Sequence, residues 1–109
     1  MTQIQKELDN IVSIIKCVNP EKIYLFGSVA DDHYDEDSDI DLIIVAPSTD
    51  RPLERRLKLR RMLRDFDRRI GLDLLVYTPE EFEMLATQRS SFVYSAIKKG
   101  KAIYERKAS

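Results

Sequence analysis

Ser38-Asp39-Ile40-Asp41-Leu42-Ile43-Ile44-Val45 carries two carboxylates into an otherwise apolar run that Pro47 brings to a stop. The unbroken apolar end, Leu42 to Val45, is the pattern of a strand buried on both faces and therefore central in its sheet. Side chains alternate along a strand, so Asp39 and Asp41 project from one face while Ile40, Leu42 and Ile44 point to the other. The acidic pair thus stands at the entry end of a buried strand. Neighbouring carboxylates there are costly unless a cation or hydrogen bonds compensate them. An oxygen-only donor set suits a hard cation, Mg²⁺ with Mn²⁺ as the substitute, and not zinc.

Working outward, the same arrangement recurs. Asp73 is the second residue of Leu72-Asp73-Leu74-Leu75-Val76-Tyr77, so a carboxylate again sits early in an apolar strand. If the two strands are neighbours, Asp39, Asp41 and Asp73 meet at one sheet edge. That set suits a two-metal site, in which ions roughly 3.5 to 4 Å apart stabilise the attacking and leaving oxygens of an in-line phosphoryl displacement. A third β-rich run, Lys22 to Phe26, ends at Gly27-Ser28. Glycine lets a backbone approach a ligand closely, and a serine hydroxyl with free N–H groups suits a phosphate. Neither a Rossmann glycine fingerprint nor a Walker A loop is present.

The rest of the chain reads as helices that cover this sheet. Ile4, Leu8, Ile11 and Ile15 recur at helical spacing up to Asn19-Pro20. From Asp50 to Ile70 the period is again helical, with Leu59, Leu63, Phe66 and Ile70 on one stripe, Arg61, Arg64 and Arg68 on another face, and Gly71 as the stop. Thr78-Pro79-Glu80-Glu81 has the form of a capping box with proline at the first helical position. Ser90 or Ser91 caps a last helix through Phe92, Val93 and Ile97, with Gly100 as a left-handed stop and Ala102 to Tyr104 as a small edge strand. The expectation is an α/β (α+β) fold, a small mixed β-sheet with helices packed on it, in one domain over residues 1–109.

Composition narrows the function classes. A chain of 109 residues with 43% hydrophobic content supports one core. Its 18 basic and 19 acidic side chains leave a net charge of -1, which gives no general attraction to nucleic acid or anionic membrane. The arginines of the middle helix have no aromatic residue on their own face, since Phe66 belongs to the apolar stripe, a poor nucleic-acid footprint. Cys17, the only cysteine, falls in the apolar pattern Ile11 to Val18 and is expected as a core or boundary residue. No secretory architecture or bilayer-length apolar run appears, so a cytoplasmic protein is expected.

Gly27-Ser28-Val29-Ala30, a spacer, and then Ser38-Asp39-Ile40-Asp41-Leu42 resembles the signature of the DNA polymerase β-like nucleotidyltransferase superfamily. Chain length and the later Asp73 make it look like the minimal nucleotidyltransferases, among them the MntA-like antitoxins of HEPN/MNT modules. The resemblance implies the polymerase β-like nucleotidyltransferase fold, with Gly27 and Ser28 holding the phosphates of ATP or another NTP. It also implies two Mg²⁺ ions on Asp39 and Asp41, and Asp73 helping to activate the acceptor hydroxyl. The implied reaction moves AMP (NMP) from ATP to a protein hydroxyl, a tyrosine of a HEPN-domain toxin encoded nearby, with this chain as antitoxin. The sequence departs from the family at Asp31, where an arginine or lysine is usual, and Asp32, Asp35, Glu36 and Asp37 follow. That reversal leaves a catalytically weak or inactive antitoxin, neutralising its partner by binding alone, as the alternative. His33, the only histidine, lies in the same acidic stretch and is expected to be exposed and neutral in role. A homo-oligomer is left open.

Overall fold

The structure, a computed structural model, describes residues 3–27, 30, 39–64 and 71–106. In chain order, helix α1 (Gln3–Ile15) tightens into a 3₁₀ turn (Lys16–Val18) and leads to strand β1 (Lys22–Phe26). Strand β2 (Ile40–Val45), helix α2 (Pro52–Met62) and strand β3 (Leu72–Tyr77) follow, then helix α3 (Pro79–Thr87), helix α4 (Phe92–Lys99) and strand β4 (Lys101–Glu105). The strands form one mixed sheet in the order β3-β2-β1-β4, antiparallel except for the parallel pair β2 and β3. The apolar run that decided the fold is therefore an interior strand, as its pattern requires.

Alternation along β2 splits the core into two layers. Ile40, Leu42 and Ile44 pack with Ile11 and Ile15 of α1, Leu59 of α2 and Leu63 just beyond it. Ile43 and Val45 point the other way, to Tyr24, Phe82 of α3, and Val93 and Ala96 of α4. Ile40, Ile43, Ile44 and Leu42 are fully buried, and losing any one of them to alanine costs about 2–5 kcal/mol.

Local chemistry sets the element ends. Thr78 and Glu81 form the capping box expected of them, Thr78 Oγ1 accepting from Glu81 N at 3.3 Å and Thr78 N donating to Glu81 Oε1 at 2.9 Å. Ser91 is the cap of α4, accepting from Tyr94 N at 3.1 Å. Gly100 is not the left-handed stop expected: its φ is -90°, whereas Asn19, closing the 3₁₀ turn, is left-handed at φ 55°. Glycine is needed at position 100 for space, because a Cβ there would stand 2.5 Å from the Leu25 carbonyl oxygen and 2.7 Å from that of Ala96. β4 is an edge strand and runs longer than expected, from Lys101 to Glu105. Cys17 is exposed beside Met62 (3.9 Å between sulfurs) and not in the core, because two residues beyond Ile15 it lies on the far side of the helix from the buried Ile11 and Ile15 stripe.

Edge strand β3 is guarded by arginines. Arg60 donates to Leu72 O (3.2 Å), and Arg55 donates to Val76 O (3.3 Å) as well as to Asp50 O (2.9 Å) and Glu81. Occupied edge carbonyls are a poor template for another strand. The helical stripe at Phe66 and Ile70 and the arginine at position 68 lie outside the described residues.

Candidate active site

Asp41 is the second residue of β2, and Asp73 is the second residue of β3. Parallel pairing sets them opposite each other, in register with Ile40 opposite Leu72 and Leu42 opposite Leu74. Directly paired residues project from the same face of a sheet, so both carboxylates rise from the face that also carries Ile43 and Val45. Asp39, two residues before Asp41, precedes the strand and is exposed. The neighbouring strands thus bring together the three carboxylates that the sequence placed early in separate apolar runs.

Electrostatics registers the convergence. The Asp41 carboxyl is half-buried and its pKa is pushed up from 3.8 to about 6, first by desolvation, then by the charge of Asp73 and then by that of Asp39. Arg56 of α2 reaches Asp73 at 3.9 Å, but both side chains are open to water, at 40% and 52% exposure, and such a pair contributes little. Among the described residues no three His, Cys, Asp or Glu side chains close around a single point. The carboxylates form an open row with hard oxygen donors and uncompensated repulsion, a set that fits divalent cations of the Mg²⁺ type. Asp39 and Asp41 would hold them, with Asp73 alongside.

Two glycines make room for this row. Gly27, directly after β1, has φ 77°, and a Cβ on it would collide with the Asp41 carboxylate. Its carbonyl accepts from Ala30 N at 3.1 Å, so the chain turns sharply beside Asp41. Gly71 occupies the equivalent place next to Asp39, whose carboxylate a Cβ would overlap, and its carbonyl accepts from Ile40 N at 2.8 Å. Gly27 was legible as part of the site, whereas Gly71 read only as a helix stop. The signal for it was the match between Asp39-Ile40-Asp41 and Gly71-Leu72-Asp73, which shows once the strands are known to pair. Arg56 was also missed: Arg61 on α2 and Arg64 just beyond it, the described members of the arginine set singled out from the sequence, are exposed, and the guanidinium at the site comes from the preceding turns. Ser28, the acidic residues 31, 32 and 35–37, and His33 lie outside the described residues.

The family model for polymerase beta nucleotidyltransferases matches residues 9–109. The chain belongs to that family. Among solved structures it is similar to a Sulfolobus solfataricus protein assigned as a nucleotidyltransferase, with 20% identity, a TM-score of 0.58, and coverage of 94% of this chain and 86% of that one. It is also similar to a chain of a toxin–antitoxin complex with AMP-PNP (22% identity, TM-score 0.59, 90% of this chain and 73% of that one). A third likeness is to a chain of the Shewanella oneidensis complex of tri-AMPylated HEPN toxin with MNT antitoxin (19% identity, TM-score 0.53, 94% and 72%). No curated protein sequence matches. At these identities the structural likenesses show the fold: a four-stranded mixed sheet carrying helices, the polymerase β-like nucleotidyltransferase fold.

Proposed function

We propose that this chain is a Mg²⁺-dependent nucleotidyltransferase that moves AMP from ATP to a protein hydroxyl, a tyrosine of a HEPN-domain toxin, and so acts as its antitoxin. The observation that carries the reading is the in-register pair Asp41 and Asp73 with Asp39 beside it, Asp41 held near pKa 6 by burial and by its two acidic neighbours. Carboxylates kept this close on a half-open sheet edge are a poor structural device and a good cation site. The solved complexes that share the fold, one holding AMP-PNP and one an AMPylated HEPN toxin with its MNT antitoxin, support the choice of nucleotide and acceptor.

In this reading Asp39 and Asp41 would hold the divalent cations, and the Gly27 turn lets the phosphates approach the backbone with Ser28 as a further contact. Bound there, two divalent ions neutralise charge on the attacking and leaving oxygens. The acceptor oxygen attacks the α-phosphorus, the bond to the bridging oxygen breaks, pyrophosphate leaves, and Asp73 takes the hydroxyl proton. Asp73 is the most open of the paired carboxylates, which suits a group that must meet a macromolecular acceptor.

The test is label transfer from ATP marked on its α-phosphate to the HEPN protein encoded beside this chain. The expected result is metal-dependent labelling of the partner that Asp41→Asn abolishes. Neutralisation by contact alone is the second reading, favoured by the acid-for-base reversal at Asp31. It predicts no label, with protection intact in a chain carrying both Asp39→Asn and Asp41→Asn.

A further inference from the structure

We propose that Phe92, backed by Phe26, is the surface on which the base of the bound nucleotide stacks. The inference rests on the nucleotidyltransferase reading and adds a residue to it. Phe26 is the cross-strand partner of Asp41, so its ring rises from the same face immediately beside the carboxylates. Phe92 meets that ring edge-on, with centroids 5.4 Å apart and planes at 78°. Despite this contact Phe92 is 54% exposed, leaving aromatic surface open to solvent at the rim of the carboxylate row.

The placement is rigid. Phe92 is the first residue of α4, directly after the Ser91 cap, and Ser91 Oγ also donates to Leu85 O at 2.5 Å. The next turn of α4 buries Val93 and Ala96 against Tyr24 and Ile43, and Gly100 brings the end of the helix onto the Leu25 carbonyl. A large apolar residue held open on such a frame is not needed to cap the helix or to fill the core. A second aromatic pair on this face among the described residues, Tyr24 with Phe82, is buried and stacked at 5.5 Å, and supplies the packing. A nucleotide whose phosphates lie at Asp39 and Asp41 has its base to one side of them. On the β1 side, the described residues offer it Phe26 and Phe92. Stacking on an aromatic face is tolerant of base identity, because every base has a π-face.

The experiment is calorimetric titration of the full chain, in Mg²⁺, with ATP and with inorganic triphosphate, for the wild type, Phe92→Ala and Phe92→Trp. Phe92→Ala is expected to weaken ATP by about tenfold to a hundredfold, the usual worth of one base stacked on one ring. Phe92→Trp retains ATP, and triphosphate binds all three proteins alike. ATP affinity unchanged in Phe92→Ala, an equal loss of both ligands, or wild-type affinity no higher for ATP than for triphosphate overturns the inference. If the wild type binds neither ligand in Mg²⁺, the nucleotidyltransferase reading fails first and the stacking surface with it.

Discussion

Asp41 is the half-buried carboxylate of the candidate site. Its pKa of about 6 in the fold exceeds the ordinary 3.8, so folding favours its protonated form. The stabilisation that comes with the proton is complete below 3.8 and is lost as the pH rises through 6. Above that, the metal-free protein holds an ionised carboxylate against its neighbours. Asp41→Asn in chelator is therefore expected to melt like the wild type at pH below 3.8, at progressively higher temperature than the wild type as the pH rises from 3.8 to about 6, and with a constant advantage above that. A melting difference that does not grow with pH contradicts this account. Asp39, Asp41 and Asp73 were legible as residues because a period of two and the same offset within two apolar runs are local signals. Gly71 and Phe92 were not. The role of Gly71 depends on which strand lies beside its own, and Phe92 read as one more apolar residue of the last helix although it faces water.

At the scale of elements, an ion pair reaches from α2 to the start of α3. The Arg55 side chain is 7% exposed, and its guanidinium meets Glu81 at 2.6 Å while also satisfying two carbonyls. Glu81 in turn closes the capping box of α3, and the hydrogen bond from Arg55 is the largest influence holding its pKa down from 4.5 to about 2. A depressed carboxylate stabilises the fold above its ordinary pKa, and that contribution is lost as the pH falls through the folded value. Glu81→Gln is expected to cost about 1–3 kcal/mol at neutral pH by denaturant unfolding. The variant should also lose less stability than the wild type as the pH falls from 4.5 toward 2. Parallel acid profiles for the two proteins contradict it. The capping box was visible in Thr78-Pro79-Glu80-Glu81, because caps are written in consecutive residues. Its arginine partner was not, since α2 carries Arg55, Arg56, Arg60 and Arg61 and only the docking of the helix on β3 selects which of them turns inward.

Across the whole molecule, one sheet separates two apolar layers and gathers acidic groups where two parallel strands begin. Its fold class was legible because β2 is apolar on both faces and therefore demands cover on both. The pairing of β2 with β3 was only a condition on which the site depended, since periodicity describes a strand and not its neighbour. No helix of the described residues is long and apolar enough to cross a membrane. On the proposed function, the paired strands make a joint cation site for a nucleotide. Titration of the chain with Mn²⁺ in the presence of ATP, following free Mn²⁺ by electron paramagnetic resonance, tests it directly. The prediction is uptake of about two ions per chain with ATP bound, reduced by Asp73→Asn and abolished when Asp39→Asn and Asp41→Asn are combined. Uptake that is the same in all of these variants as in the wild type contradicts it.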